Sequence, residues 1–291
     1  MIEKYLQRLE KLSIKNKVDP IVDIDFEDIP STSHFWLSEE FISIYNTTEY
    51  KQLSLDNKKI LSQKEFCLLC SITATGEKEA IININKILLK KKYSKYFPYL
   101  YRLIQEELNH IYMFKTFSEK YGTFYPILYS YAQGDITKSE DINELAIFVH
   151  LLIFEEVGDI MNSFMVEDET LPELVRVLSQ VHNADESRHI SFGRKVVVDI
   201  LNQIKNNIDS QELIKLQTHL ESFIDTRHRD FFNIEIYKSI GIENSFNFRK
   251  KLILENDIEY FLKNEQSKHK ILNLLKFLKN NNLISNHRLI S

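Results

Sequence analysis

The sequence contains few of the residues that interrupt helices. Its 291 residues include only six glycines and five prolines. Sheet-rich folds need many turns built on these residues, so their scarcity favours long helices joined by few connections. Hydrophobic residues make up 43% of the chain, which argues against disorder. Because the polar stretch 134–141 is a loop and not a domain linker, we expect one all-α domain over residues 1–291.

The chain also lacks a strong charge of either sign and any long apolar run. A formal net charge of −5 gives no electrostatic argument for nucleic acid binding. No uncharged apolar run approaches the roughly 20 residues of a membrane span. The N-terminal residues 1–5 are charged and amphipathic, without the apolar centre of a signal peptide. We therefore predict a cytoplasmic protein with neither nucleic acid nor membrane as a partner.

Cysteine is nearly absent, since Cys67 and Cys70 are the only two. No second thiol pair completes a zinc site with them, and they lie in the apolar run 66–70. Free cysteine is among the most buried residue types, so we predict buried packing thiols. Two cysteines form no disulfide framework, which fits a reducing compartment.

Apolar residues at helical spacing predict four long helices, at about 56–92, 98–120, 142–166 and 172–206. They are expected to form a metal-binding bundle core over about 56–206. Flanking helices are expected within 1–46 and 211–281, which include candidates at 2–14, 37–46 and 211–239. The segment 17–35 is expected to be extended or looped, because two prolines interrupt it.

The four long helices carry acidic residues and histidines in a repeating order. Glu107 and His110 form a Glu-x-x-His pair on the second helix, and Glu186 and His189 form another on the fourth. Residues three or four apart share a helix face, so each pair projects together. Two such helices, with one glutamate from each of two others, are the ligand set of dinuclear carboxylate bundles. The pattern predicts a site for two ions, iron or manganese.

Two glutamates compete for the ligand position on the first long helix. Glu77 shares a face with Cys70 and Ile84, whereas Glu79 shares a more polar face with Lys86. We prefer Glu77, because a buried metal site needs a ligand on a buried helix face. Glu79 remains an alternative ligand.

The third long helix offers the same kind of choice. Glu155 shares a face with Asp159 and Asn162, while Glu156 shares one with Val149. A helix that supplies a metal ligand tends to line the site with small or polar groups, which favours Glu155. Glu156 remains an alternative ligand. Four carboxylates would offset the four positive charges of two divalent ions, as a buried site requires.

Two neighbouring carboxylates are expected to support the ligands. A histidine ligand usually donates its other N–H to a carboxylate or carbonyl. Asp185 is placed to reach His110 in this way, and Glu106 is the symmetric candidate for His189. His182 lies one turn before Glu186 and offers a third imidazole, although alone it could equally be an ordinary core or surface histidine.

Phenylalanines near these motifs could line a substrate pocket, although packing is the expected role of Phe114, Phe117, Phe154 and Phe192. Two polar neighbours, Asn109 and Arg188, could orient groups at the site, although solvation is the expected state of such residues.

At these residues the sequence resembles the AurF family, the para-aminobenzoate N-oxygenase-type diiron oxygenases. The resemblance lies in the stretch HxxDExRHxxF from His182 to Phe192, preceded by the pair at Glu107 and His110 and by a glutamate at 155 or 156. The motif-bearing part, roughly 70–195, covers somewhat under half of the chain. His182 is the more specific signal, because members of this family have a third histidine ligand.

The resemblance implies a ferritin-like helical bundle, with additional N- and C-terminal helices in this chain. It also implies that two irons, with manganese possible at either position, are held by seven residues: Glu77, Glu107, His110, Glu155, His182, Glu186 and His189. The implied activity is oxygenation of the nitrogen of a small-molecule amine with O2 and an external electron donor. A homodimer is a further expectation.

Two other classes of function stay open. The first keeps the irons in another diiron oxidase or hydroxylase, or in a radical protein like the small subunit of ribonucleotide reductase. A radical protein needs a tyrosine near the metals, and Tyr101 and Tyr112 are candidates. The second is an iron-binding helical bundle without a substrate, against which the long flanking segments argue.

Overall fold

The computed structural model describes residues 2–127, 135–255 and 265–285, and every regular element in these ranges is a helix. The predicted all-α class is therefore confirmed. The α-helices are α1 (Ile2–Lys15), α2 (Pro20–Asp23), α3 (Thr48–Gln52), α4 (Leu55–Ile87), α5 (Phe97–Tyr121), α6 (Glu140–Glu167), α7 (Glu173–Ile204), α8 (Ser210–Arg227), α9 (Ile234–Ser239), α10 (Ser245–Glu255) and α11 (Glu265–Asn280). Short 3₁₀ turns occur at Glu39–Phe41, Lys91–Tyr93 and His228–Phe231.

Four long helices, α4 to α7, form the bundle. The side chain of Ser54 accepts from the backbone N–H of Asn57 to begin α4, and Ser139 accepts from Ile142 to begin α6. Such caps satisfy backbone donors that have no partner within the helix. Pro98 lies in the first turn of α5, where a missing N–H costs nothing. α4 packs along α5, and α6 packs along α7, with α4 also against α6.

Three predicted elements were wrong in extent. The first long helix ends at Ile87 instead of 92, because Lys90 and the Tyr93 hydroxyl turn away to the Glu144 carboxylate on α6. The candidate at 37–46 is only the 3₁₀ turn Glu39–Phe41. Beyond that turn, the backbone N–H of Ser43 donates to buried Glu65 at 2.7 Å and not to a helical carbonyl.

The predicted helix 211–239 is two helices, α8 and α9, separated by a 3₁₀ turn. The side chain of Asn233 accepts hydrogen bonds from the backbone N–H groups of Glu235 and Ile236, so that α9 begins as a separate helix. The segment 17–35, expected to be extended or looped, is irregular apart from the single-turn helix α2, which begins with an Asp19 cap on Ile21.

The flanking helices cover the bundle on two sides. α1 packs on α5 and α7, and α8 and α11 pack on α6. Cys67 and Cys70 are buried, as predicted. Residues 256–264 of the expected C-terminal flank lie outside the described residues. None of the described helices has the length and apolar composition to cross a bilayer.

Candidate metal centre

Seven acidic and histidine side chains converge inside the bundle, and each is at most 2% exposed. They come from all four long helices: Glu77 from α4, Glu107 and His110 from α5, Glu155 from α6, and His182, Glu186 and His189 from α7. Their ligand atoms form two adjoining groups, within each of which they lie within 4.8 Å of one another. Glu186 belongs to both groups.

The first group, here the histidine-rich half-site, consists of Glu77, His110, His182 and Glu186. The Nε2 atom of His182 lies 3.0 Å from Oε1 of Glu77 and 3.0 Å from Oε1 of Glu186. The Nδ1 atom of His110 lies 3.4 Å from the same Glu77 oxygen. Two imidazoles and two carboxylates thus face one point.

The second group, here the carboxylate-rich half-site, consists of Glu107, Glu155, Glu186 and His189. The Nδ1 atom of His189 lies 3.2 Å from Oε1 of Glu107 and 3.5 Å from Oε2 of Glu186. One imidazole and three carboxylates face this second point. Glu186 and His189 lie together in this half-site, whereas Glu107 and His110 belong to different groups, although Oε2 of Glu107 lies 3.3 Å from Nδ1 of His110.

The structure separates the competing glutamates that spacing left open. Glu77 is in the cluster and fully buried, whereas Glu79 is half-buried and lines a separate cleft. Glu155 is in the cluster, whereas Glu156 accepts two hydrogen bonds from Arg194 at 2.7 and 2.6 Å. The preferred glutamate is therefore the one that faces the cluster on each helix.

Gly76 explains how α4 and α6 approach each other beside Glu77. A Cβ atom at position 76 would lie 2.1 Å from Cζ of Phe154, far inside van der Waals contact. Any side chain at position 76 would therefore require this ring to move away from the helix backbone.

Carboxylates hold the outer nitrogens of two of the imidazoles. Oδ2 of Asp185 lies 3.1 Å from Nε2 of His110, and Oε2 of Glu106 lies 2.9 Å from Nε2 of His189. These are the contacts expected from sequence. An N–H donated outward leaves the inner Nδ1 free to bind a metal, and it fixes the orientation of the ring.

Arg188 joins the two supporting carboxylates. Its guanidinium donates to Glu106 at 2.8 Å and also to Asp185, and its Nε donates to Ser13 of α1 at 3.1 Å. The expectation that Arg188 is solvated was wrong, since the residue is only 5% exposed. The cation offsets part of the negative charge around the half-sites, which a buried cluster needs.

The partner of the third imidazole was not identified from the sequence. The side-chain amide of Asn162 lies against Nδ1 of His182, while Nε2 faces the cluster. The one available signal was that Asn162 lies two turns after Glu155 on the same face of α6. His182 thus has a neutral partner where His110 and His189 have carboxylates. Asn109, also expected to be solvated, is half-buried and donates to the Val18 carbonyl at 3.0 Å.

The residues present fit a pair of metal ions. Six buried ligand atoms make no hydrogen bond of good geometry within the described part of the chain: Oε2 of Glu77, Oε1 of Glu107, Oε1 of Glu155, both carboxylate oxygens of Glu186 and Nδ1 of His189. Buried polar atoms without partners are costly and rare, so a concentration of them in one place points to a bound cation. Imidazole and carboxylate together suit iron and manganese.

Within the cluster, the buried carboxylates and imidazoles alter one another's pKa values. Burial raises the pKa of Glu155, and the neighbouring Glu186 and Glu107 carboxylates raise it further. Burial alone would lower the pKa of His182, but Glu186 and Glu77 raise it to about 9. Metal ions would displace such protons, since ligands bind deprotonated.

A cleft of about 460 Å³, part of which is open to solvent, reaches both half-sites. It touches His182 of the histidine-rich half-site and Glu155 of the carboxylate-rich one. Of the four phenylalanines considered from sequence, Phe154 lines it. Phe114 packs edge-on against the His182 ring, with 5.0 Å between ring centroids. Phe117 and Phe192 pack in the core against Phe66 and Tyr99.

Four long helices around two adjoining carboxylate and histidine clusters define the class of dinuclear carboxylate proteins. Residues 2–229 match the family model described as P-aminobenzoate N-oxygenase AurF. The chain therefore belongs to the AurF family, which confirms the resemblance seen in its motifs, and it is a diiron oxidoreductase with a dinuclear metal cofactor.

Several solved structures share the fold. An R2-like ligand-binding oxidase with aerobically reconstituted metal cofactor matches with a TM-score of 0.53 and 17% identity, over 96% of this chain and 93% of that one. Variants of that oxidase with a Mn/Fe or an Fe/Fe cofactor each match with a TM-score of 0.54 and 16% identity, at the same coverage. These likenesses confirm the ferritin-like bundle. None of the curated proteins compared with this sequence matches it.

Proposed function

We propose that this protein oxygenates the nitrogen of a small-molecule amine, using O2 and electrons from an external donor. The observation that carries the proposal is the third imidazole: His182 faces the cluster beside Glu77 and Glu186 and also borders the open cleft. Family membership supports the same reading. We further propose that the seven clustered residues are the ligands of two irons, with manganese acceptable at either position.

The simplest balanced reaction converts a primary amine to a hydroxylamine: RNH2 + O2 + 2e⁻ + 2H⁺ gives RNHOH + H2O. The chemistry that a bound diiron centre supplies is reduction of O2 and transfer of one oxygen atom. The remaining roles belong to the protein. Asp185 and Glu106 orient two imidazoles, Arg188 offsets part of the negative charge of these two carboxylates, and Phe114 packs edge-on against the His182 ring.

The test supplies the iron-loaded protein with aniline, a chemical reductant and ¹⁸O2, and analyses the product by mass spectrometry. The expected product carries one ¹⁸O atom on nitrogen. Product oxygenated on carbon, or O2 consumption without any oxygenated amine, would overturn the proposal in favour of a hydroxylase or oxidase. The His182→Ala protein is expected to lose N-oxygenation, whereas a generic six-ligand centre would tolerate the change.

The two tyrosines considered from sequence give little support to a radical-generating role. Tyr101 and Tyr112, the candidates from sequence, are 49% and 41% exposed and lie on the outer face of α5. The ring against His182 is the redox-inert Phe114. A stable tyrosyl radical signal after exposure of the reduced protein to O2 would revive that alternative.

Three further expectations stay predictions: the electron donor is a separate molecule, the chain forms a homodimer, and the protein is cytoplasmic. Light scattering of the metal-loaded protein measures the second directly.

A further inference from the structure

The face of α1 that packs against α5 and α7 carries a serine where helical periodicity calls for an apolar residue. Its buried residues are Leu6, Leu9 and Ser13, spaced by three and then four positions. Ser13 is 4% exposed, whereas the neighbouring Ile14 is 53% exposed. A buried hydroxyl is costly unless it is hydrogen-bonded, so the partner of Ser13 indicates what this hydroxyl does.

The partner of Ser13 is the guanidinium of Arg188 on α7. Nε of Arg188 donates to the Ser13 hydroxyl oxygen at 3.1 Å, and Nη1 donates to the Ala184 carbonyl at 2.9 Å. Nη2 donates to Oε1 of Glu106 at 2.8 Å and also to Oδ1 of Asp185. Acceptors from α1, α5 and α7 therefore hold one buried cation.

The rigid shape of the guanidinium connects Ser13 to the supporting carboxylates. A guanidinium is planar, so the hydrogen bond at Nε fixes the direction in which Nη2 points. Nη2 contacts Asp185, which holds His110 of the histidine-rich half-site. The same atom contacts Glu106, which holds His189 of the carboxylate-rich half-site. A helix that supplies none of the seven clustered residues is thus joined to each half-site by a chain of three hydrogen bonds.

We propose that Ser13 is a positioning residue for the metal centre, and that docking of α1 and occupancy of the two half-sites are thereby linked. The proposal rests on the proposed set of seven ligands. Loss of a ligand's own hydrogen-bond partner costs roughly 10–100-fold in metal affinity, and Ser13 acts one step further out, so we expect a smaller factor of about threefold. Because one guanidinium serves both carboxylates, both half-sites should weaken by similar factors. Linkage is reciprocal, so bound metal should in turn stabilise the docked α1.

The first test measures the stepwise Mn²⁺ affinities by competition with a chelator. Ser13→Ala removes the hydroxyl without changing the charge, and it is expected to weaken both half-sites about threefold. The matched control is Tyr5→Phe, which removes another hydrogen bond between α1 and α7. The partner of Tyr5 is Ser191, which is neither a clustered residue nor a supporting carboxylate, so Tyr5→Phe should bind Mn²⁺ like the parent.

A double-mutant cycle separates positioning from a general loosening of α1. Arg188→Lys keeps the positive charge but removes the planar group through which Ser13 acts. In that background, Ser13→Ala should change neither affinity further. Equal losses in both backgrounds would show that Ser13 affects the centre only through the stability of α1, and they would overturn the proposal.

Hydrogen exchange supplies a readout that does not depend on the affinities. Mn²⁺ is expected to slow exchange of the α1 amides in the parent and in Tyr5→Phe. The slowing should be smaller by about tenfold in Ser13→Ala, the product of a threefold factor at each of two half-sites. Thermal unfolding checks that each variant folds, and the exchange result decides the matter if Arg188→Lys does not. An identical response of α1 in Ser13→Ala and in the parent would overturn the proposal.

The results also separate this inference from the proposed function. Two Mn²⁺ ions bound with affinities unchanged by Ser13→Ala would remove the positioning role and leave the ligand set standing. A parent protein that binds no Mn²⁺ would remove the ligand set, and the positioning role with it. Linked binding without any N-oxygenated product would remove the function alone.

Discussion

The two half-sites are built from the same Glu-x-x-His motif and yet differ in composition. The histidine-rich half-site has two imidazoles and two carboxylates, and the carboxylate-rich half-site has one imidazole and three carboxylates. The additional imidazole of the first is His182, one turn before the shared Glu186. A near-symmetric pair of motifs therefore yields two different environments.

The three histidines also differ in the groups that contact their outer nitrogens. His110 and His189 contact carboxylates through their outer nitrogens, whereas His182 contacts the neutral amide of Asn162. A carboxylate partner raises the basicity of a histidine ligand more than an amide does. We therefore expect His182 to be the weakest of the three imidazole donors, and it is also the one that borders the cleft.

Loss of the shared carboxylate of Glu186 should disrupt both half-sites at once. Glu186→Ala is expected to lower metal content from about two ions per chain to less than one, because both half-sites lose a ligand. Elemental analysis after metal loading measures this. The matched control is Glu156→Gln, a buried glutamate held by Arg194, which should keep both ions. Full metal content in Glu186→Ala would show that the ions bind elsewhere.

Removal of the third imidazole should affect one half-site only. His182→Ala is expected to weaken the histidine-rich half-site by more than the roughly 10–100-fold that loss of a ligand's hydrogen-bond partner costs. The carboxylate-rich half-site should keep its affinity, since His182 is not part of it. Stepwise metal titration resolves the two affinities, and an equal loss in both would contradict the separation.

The supporting carboxylates should act on separate half-sites. Asp185→Asn is expected to lower the affinity of the histidine-rich half-site by about 10–100-fold, and Glu106→Gln that of the carboxylate-rich one. Competition with a chelator measures each change. If both substitutions weakened the same ion, the assignment of partners would be wrong.

The smallest effect is expected at Asn162. Asn162→Asp gives His182 the kind of partner that the other imidazoles have, and it should strengthen the histidine-rich half-site several-fold, by roughly 1 kcal/mol. Asn162→Ala should weaken it by a similar amount. Chelator competition against the unmodified protein is the measurement, and identical behaviour of both variants would show that the amide has no role in holding His182.

The sequence predicted those parts of the fold that depend on helix periodicity. The predicted bounds 98–120 and 142–166 differ by one or two residues at each end from α5 and α6. The break between α8 and α9 was not predicted, because it depends on hydrogen bonds that the Asn233 side chain accepts from nearby backbone N–H groups. The spacing of apolar residues carries no information about such bonds.

In the candidate site too, the arrangement of residues along one helix was predictable from the sequence, whereas contacts between helices were not. Spacing along one helix was enough to bring Glu107 with His110, and Glu186 with His189, to common faces. The amide that holds His182 and the guanidinium that joins Asp185 to Glu106 act between helices, so their roles depend on tertiary packing.

The most direct test of two unlike half-sites is a crystal structure of the iron-loaded protein with anomalous scattering recorded at the iron edge. We predict two peaks on either side of Glu186, one bound by Glu77, His110 and His182 and the other by Glu107, Glu155 and His189. A single peak, or two ions of which neither contacts His182, would contradict the account.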